Sequence, residues 1–170
     1  MLDTDELLSP FGVRSLSAAY RDSTTVQVGG HALAIRYAPG ESDSGLFGGN
    51  SNWRGPVWLP VNVLLVEAMR TYARGAGDEL QVELPTGSGR RVSLSDAADE
   101  LSERLVGLFR AGPGGRRPSQ PRDHPDDDLW NAHPTFSEYF HGDTGEGLGA
   151  SHQTGWTSLV AHLVCTRSAR

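Results

Sequence analysis

Two long segments of this 170-residue chain lack the periodicity of either a helix or a strand, and they constrain the fold more than any other feature. They cover residues 39–58 and 110–155. Unstructured connections of this length are uncommon in a compact domain unless they carry function or are disordered. The regular elements must therefore form in the remaining residues and support two long connections.

Three segments show the spacing of apolar residues that is typical of amphipathic helices. They are residues 60–74, residues 93–110, which open with the S-L-S-D spacing of a capping box, and residues 154–166. Weaker helical patterns occur at residues 2–8 and 16–20. The stripes predicted to need a partner surface are Val61, Leu64, Leu65, Ala68 and Tyr72; Leu94, Ala97, Leu101, Leu105 and Leu108; and Trp156, Leu159, Val160, Leu163 and Val164.

The strand period is found between the first two helices. Residues 80–84, LQVEL, alternate apolar and polar side chains, and they are followed by the turn sequence PTGSG and then by Arg91 and Val92. This pattern predicts a short β-hairpin inserted between the helices. Residues 30–37 alternate less cleanly and predict a further short strand.

The charge balance and hydropathy exclude two classes of partner. The chain has 15 Lys and Arg against 21 Asp and Glu, a formal net charge of −6, so it lacks the basic surface on which nucleic-acid binding depends. No apolar run approaches the roughly 18 residues of a membrane span, and the first residues, MLDTDELL, are acidic where a signal peptide is basic. We therefore expect a soluble, cytoplasmic protein with neither nucleic-acid nor membrane partners.

The residue types that bind metals are sparse and scattered. The single cysteine, Cys165, excludes an internal disulfide and a multi-cysteine zinc site, and its apolar surroundings predict a small buried core residue. His133, His141 and His152 occur singly, without the H-E-x-x-H spacing of a zinc site. We therefore expect no metal site.

The two long segments contain two kinds of sequence. Residues 111–128 hold no aromatic side chain and predict a flexible surface loop. Residues 39–58 and 129–156 instead mix glycine with carboxylates and all four tryptophans. Aromatic rings can cover the apolar faces of sugars, and carboxylates perform acid and base roles at a glycosidic bond, although composition alone favours a loop or cap role for each carboxylate. The candidate carboxylates are Glu41, Asp43, Glu138, Asp143 and Glu146.

Three strings in these segments resemble the C-terminal part of glycoside hydrolase family 63, which includes processing α-glucosidases and bacterial mannosylglycerate hydrolases. They are ESDSGLFGGNSNWRGPVW at residues 41–58, EYFHGD at 138–143 and GLGASHQTGW at 147–156. The resemblance extends from about residue 9 to residue 164. It implies a mainly α fold in which residues 1–170 are the C-terminal portion of an (α/α)6 toroid, with a short inserted β-hairpin and long loops lining a pocket.

The same resemblance implies inverting hydrolysis of α-glucosides or related oligosaccharides without a cofactor. Glu138 matches the general base of the family. The family's general acid, an Asp, lies upstream of the matched strings, so the chain would need the N-terminal part of the toroid as its partner and would be inactive alone. The alternative is a non-catalytic carbohydrate-binding or interaction fragment. The residues matched to the sugar pocket are Trp53, Arg54, Trp58, Tyr139, His152, Gln153 and Trp156.

Overall fold

The computed structural model describes residues 1–43, 52–125 and 127–166. The α-helices are α1 (Leu59–Ala76), α2 (Leu94–Gly107), α3 (Asp128–Ala132), α4 (Thr154–Thr157) and α5 (Val160–Cys165). The strands are β1 (Leu8–Ser9), β2 (Gly12–Val13), β3 (Thr24–Val28), β4 (His31–Ile35), β5 (Gln81–Glu83), β6 (Arg91–Ser93), β7 (Tyr139–Phe140) and β8 (Gly147–Leu148).

The expected mainly α portion of a toroid is wrong. In the described residues, α1 and α2 pack against each other, the other helices are short, and the strands form four separate antiparallel pairs. Of the two segments predicted as weak helices, residues 2–8 form a turn that leads into the first residue of β1, and residues 16–20 overlap a 3-10 turn at Ala18–Arg21. The prediction was wrong because the resemblance to the family depends on motifs that lie in loops. Loop motifs do not determine the secondary structure around them.

The position of helix α1 was predicted correctly, but the prediction of which face is buried was wrong. Pro60 lies in its first turn, where the missing N–H costs nothing, and the helix ends at Gly77, which has a φ of 66°. The core-facing residues include Val63 and Val66, whereas Leu64 of the predicted stripe is 70% exposed. The helix carries apolar residues on both faces, so their spacing could not decide which face packs.

Helix α2 confirms its predicted start and stripe. The Ser93 side chain accepts a hydrogen bond from the Asp96 backbone nitrogen at 3.0 Å, which caps the helix. Leu101 and Leu105 are buried against the core, as is Leu108 just beyond the helix. Here the polar residues leave a single apolar face, so the pattern was sufficient.

The strand predictions were correct but incomplete. The hairpin between the helices is present as β5 and β6, and β4 lies within the strand predicted at residues 30–37. The partner of β4 is β3, which was not predicted; the two are joined by Gly29 and Gly30, whose positive φ angles of 57° and 80° suit a tight hairpin turn.

The predicted C-terminal helix is divided into α4 and α5, and Cys165 was wrongly placed in the core. Val160 and Leu163 form the buried face of α5, whereas Cys165 lies off that face and is exposed with a free thiol. The apolar composition of the segment did not indicate on which side of the helix the cysteine would lie.

The segment predicted as a flexible loop, 111–128, is joined to the core at its centre. The Ser119 backbone nitrogen donates to the Leu108 carbonyl at 3.0 Å, and its carbonyl accepts from the Gly147 nitrogen at 3.1 Å. Ser119 is buried. Flexibility of the segment stays a prediction, and Asp126 lies outside the described residues.

Val57 occupies the centre of the molecule and joins three distant parts of the chain. It forms isolated antiparallel bridges to Arg14 on one side and to Phe140 on the other. Val57 and Phe140 are fully buried, and both belong to the core cluster formed with α1 and α2. The two aromatic-rich segments are therefore joined through the core.

Candidate functional site

The bridge between Val57 and Phe140 brings two of the predicted site residues together. Val57 donates from its backbone nitrogen to the Phe140 carbonyl at 2.8 Å, and Phe140 donates back at 3.0 Å. Because the pairing is antiparallel, the next residue of one strand, Trp58, lies opposite the preceding residue of the other, Tyr139. Their ring centroids are 4.7 Å apart.

Four aromatic side chains, Trp53, Trp58, Tyr139 and Trp156, form what we call the aromatic cluster. The Trp53 and Trp58 rings are stacked, with centroids 4.1 Å apart and planes inclined by 1°, and Trp156 meets the Trp58 ring edge-on at 6.0 Å. Trp58 and Tyr139 are buried, whereas Trp53 is 47% and Trp156 39% exposed. The cluster thus has a buried base and two exposed rings.

Two carboxylates lie at one edge of this cluster, where the backbone turns at Gly149. Glu138 Oε2 accepts from the Ala150 nitrogen at 3.1 Å, and Glu41 Oε1 accepts from the Gly149 nitrogen at 2.9 Å. The other oxygen of Glu41, Oε2, accepts from the Tyr139 hydroxyl at 2.6 Å. Two acidic side chains from distant parts of the chain are therefore held by consecutive backbone amides.

The electrostatics of Tyr139 reflect these two neighbours. Burial raises the pKa of the Tyr139 hydroxyl well above its ordinary value, and the hydrogen bond to Glu41 and the negative charges of Glu41 and Glu138 raise it further. The phenol is therefore neutral at physiological pH, and it acts as a hydrogen-bond donor.

The other candidate carboxylates lie in ion pairs that do not involve the cluster. Asp43 is paired with Arg36 and Arg54. Glu146 is paired with Arg122 at 3.0 Å. Asp143 accepts hydrogen bonds from two arginines and a tyrosine that tie the N-terminal region to the 141–145 turn.

The remaining predicted pocket residues are sequence neighbours of Trp53 and Trp156, and the side chains of Arg54 and His152 contact residues outside the cluster. The Arg54 guanidinium donates to Asp43. The His152 ring lies 5.8 Å from the Phe136 ring, and the Gln153 backbone nitrogen donates to the Phe136 carbonyl at 2.7 Å. Residues 44–51 of the first quoted string lie outside the described residues.

Sequence reasoning included Glu41 among five carboxylates but gave no reason to prefer it. Its contact with Tyr139 spans 98 residues, and no local spacing reports such a pairing. The one local signal was Gly149 itself, because glycine is the usual residue where other groups approach the backbone closely.

Residues 1–43, 52–125 and 127–166 contain no group of three or more His, Cys, Asp or Glu side chains that is placed to hold a metal ion. Over the same ranges, no helix combines the length and apolar character needed to cross a membrane.

Comparison with known proteins shows a distant, partial relationship with a glucosidase. The chain is 46% identical over 169 residues to the uncharacterized protein YMR196W of Saccharomyces cerevisiae, covering 96% of this chain and 16% of that protein. It is 27% identical over 119 residues to the mannosyl-oligosaccharide glucosidase of the same yeast, covering 69% of this chain and 11% of that protein. No family model matches. The chain thus spans a small fraction of both relatives.

Proposed function

We propose that this chain forms part of a sugar-binding site at which Glu138 acts as the general base in the inverting hydrolysis of α-glucosides or related oligosaccharides. The observation that carries the proposal is the position of the Glu138 carboxylate beside the aromatic cluster, with both held by the turn at Gly149. The partial similarity to a glucosidase supports the choice of substrate class.

The aromatic cluster would bind the sugar. Trp53 and Trp156 are exposed, whereas Trp58 beneath them is buried, so the exposed rings are held rigid by contacts on their inner side. Rigid aromatic surfaces bind the C–H faces of a pyranose with little loss of side-chain entropy.

Glu138 would activate the attacking water. The Ala150 amide orients Oε2, and we assign the proton transfer to Oε1. As the water oxygen forms its bond to the anomeric carbon, its proton passes to Glu138, and the glycosidic bond breaks on the opposite face, which inverts the configuration. Both oxygens of Glu41 accept hydrogen bonds, so Glu41 is not assigned as the acid that protonates the leaving oxygen. That acid would come from outside this chain.

An activated substrate tests the base without the acid. Fluoride leaves α-glucosyl fluoride without being protonated, so we expect the chain to release fluoride and β-glucose. Glu138→Gln should lower this rate at least about 100-fold, because an amide cannot accept the proton. The measurements are fluoride release and the anomer seen by NMR. Glu146→Gln, an equivalent change at a carboxylate that pairs with Arg122 and not with the cluster, is the control and should retain the rate. Full activity in Glu138→Gln would refute the assignment.

A second candidate, carbohydrate binding without turnover, is favoured by the exposed parallel stack of Trp53 on Trp58. A titration of tryptophan fluorescence with glucose oligosaccharides separates the two functions. The binding function predicts that binding is lost in Trp53→Ala and retained in Glu138→Gln. If the unmodified chain also releases no fluoride, these results would establish binding and exclude hydrolysis by this chain.

A further inference from the structure

We propose that Glu41 is a positioning residue that holds the catalytic carboxylate of Glu138 in a fixed relation to the aromatic cluster. The inference rests on the proposed function and adds a residue to it. Glu41 touches neither the sugar nor the reacting atoms in this proposal; it acts through Tyr139 and the turn at Gly149.

The two oxygens of Glu41 contact two different parts of the site. Oε2 accepts from the Tyr139 hydroxyl at 2.6 Å, and the Tyr139 ring stacks on Trp58 in the cluster. Oε1 accepts from the Gly149 nitrogen at 2.9 Å, and the following amide, that of Ala150, binds Glu138. Glu41 therefore links the binding surface to the base.

The arrangement places two negative charges side by side. Two carboxylates on consecutive amides repel each other, and an amide side chain at residue 41 would relieve that repulsion but could accept only one of the two hydrogen bonds. Local arrangements that oppose stability are typical of functional sites, where position matters more than stability. The charge of Glu41 strengthens its short bond to the neutral Tyr139 hydroxyl.

The expected signature of Glu41→Gln is a loss of turnover with binding retained. The amide keeps the size of the side chain but faces one of the two donors with an N–H group, so one bond is lost. The aromatic cluster keeps independent anchors, the bridge between Val57 and Phe140 and the bond from Trp58 Nε1 to the Asn52 carbonyl. We expect kcat on α-glucosyl fluoride to fall at least about tenfold, while KM changes less than about threefold.

Tyr139→Phe tests the same link from the other side and keeps the charge of Glu41. It should lower kcat less than Glu41→Gln does, and the double variant should be no slower than Glu41→Gln alone within about twofold. Multiplying effects would mean that the two residues act independently and would overturn the proposal. Glu146→Gln is the matched control and should resemble the unmodified chain.

A second readout separates this inference from the proposed function. Amide hydrogen exchange at Gly149 and Ala150, followed by NMR, should quicken at least about threefold in Glu41→Gln, whereas Glu146→Gln should leave it unchanged. If the chain releases no fluoride, the proposed function fails, and this exchange rate still decides whether Glu41 fixes the turn that binds Glu138. Unchanged kcat, or unchanged exchange in a Glu41→Gln variant that folds, would overturn the role of Glu41, as would a rise in KM at constant kcat.

Discussion

Gly149 shows how strongly a single residue can be constrained in this molecule. Its φ is 69°, in the left-handed region, and a Cβ atom there would lie 2.7 Å from Tyr139 Cε1 and 2.8 Å from Glu138 Oε2. Any side chain would therefore strain the backbone and displace both neighbours. The absence of a side chain at Gly149 allows the carboxylate of Glu138 and the ring of Tyr139 to pack against the same turn.

A comparison of two glycines tests this constraint. Gly87 also has a positive φ, 84°, but a Cβ atom there would meet nothing within 4 Å. Gly87→Ala should cost only the backbone strain, about 1–2 kcal/mol, whereas Gly149→Ala should cost about 1–3 kcal/mol more because of overpacking. Urea unfolding of the two variants measures the difference. Equal losses would contradict the close contacts at Gly149.

Among the helices, α2 shows agreement between local sequence and tertiary environment. Its cap, its apolar stripe and its partner surface all favour the same helix. In α1 the local and tertiary signals diverge, because Leu64 follows helical apolar spacing yet is exposed. The choice between the two faces of α1 depends on which one α2 contacts.

The cap of α2 gives a test at this scale. Ser93→Ala removes the acceptor for the Asp96 nitrogen and should lower the free energy of unfolding by about 0.5–2 kcal/mol. Ser95→Ala, two residues into the same helix, is the control and should change it by less than about 0.5 kcal/mol. Thermal or urea unfolding measures both. A similar loss in the two variants would mean that the cap does not stabilise α2.

Across the whole molecule, Asp143 joins segments that are far apart in the chain. It accepts from Arg14 at 3.2 Å, from Arg21 at 2.9 Å and from Tyr37 at 2.8 Å, and these contacts span 106 to 129 residues. Burial raises the pKa of Asp143, but the hydrogen bonds from Arg21, Tyr37 and Arg14 and the charge of Arg21 outweigh it and hold the pKa below its ordinary value. Burial and the bond to Asp143 raise the pKa of Tyr37 to about 12.

These shifts predict a pH-dependent stability. Because the pKa of Asp143 is lower in the folded chain than in the unfolded one, its stabilisation is present above the unfolded value, about 3.9, and is lost as the pH falls through the folded value. Asp143→Asn should therefore cost about 1–3 kcal/mol at pH 7 and progressively less below about pH 4. Urea unfolding across this range measures the change, with Asp123→Asn at an exposed position as the control. A loss that does not depend on pH would contradict the ion pair.

The sequence by itself determined the elements whose signals are local: α2 with its Ser93 cap, and the hairpin of β5 and β6. It also selected Trp53, Trp58, Tyr139 and Trp156, which the structure brings into one cluster. The helix and the hairpin depend on residues a few positions apart, where spacing and turn chemistry are sufficient, whereas the four aromatic residues were selected through the resemblance to a family.

Only the tertiary structure decided the rest. It replaced the expected toroid portion with two long helices and small strand pairs, and it joined residues 57 and 140 through the core. It distinguished Glu41 from the other candidate carboxylates, because Glu41 accepts a hydrogen bond from Tyr139, which lies 98 residues away in the sequence. Such pairings depend on which buried surfaces fit together. The free energy gained by that packing is a property of the whole folded molecule and is not encoded in any short stretch of sequence.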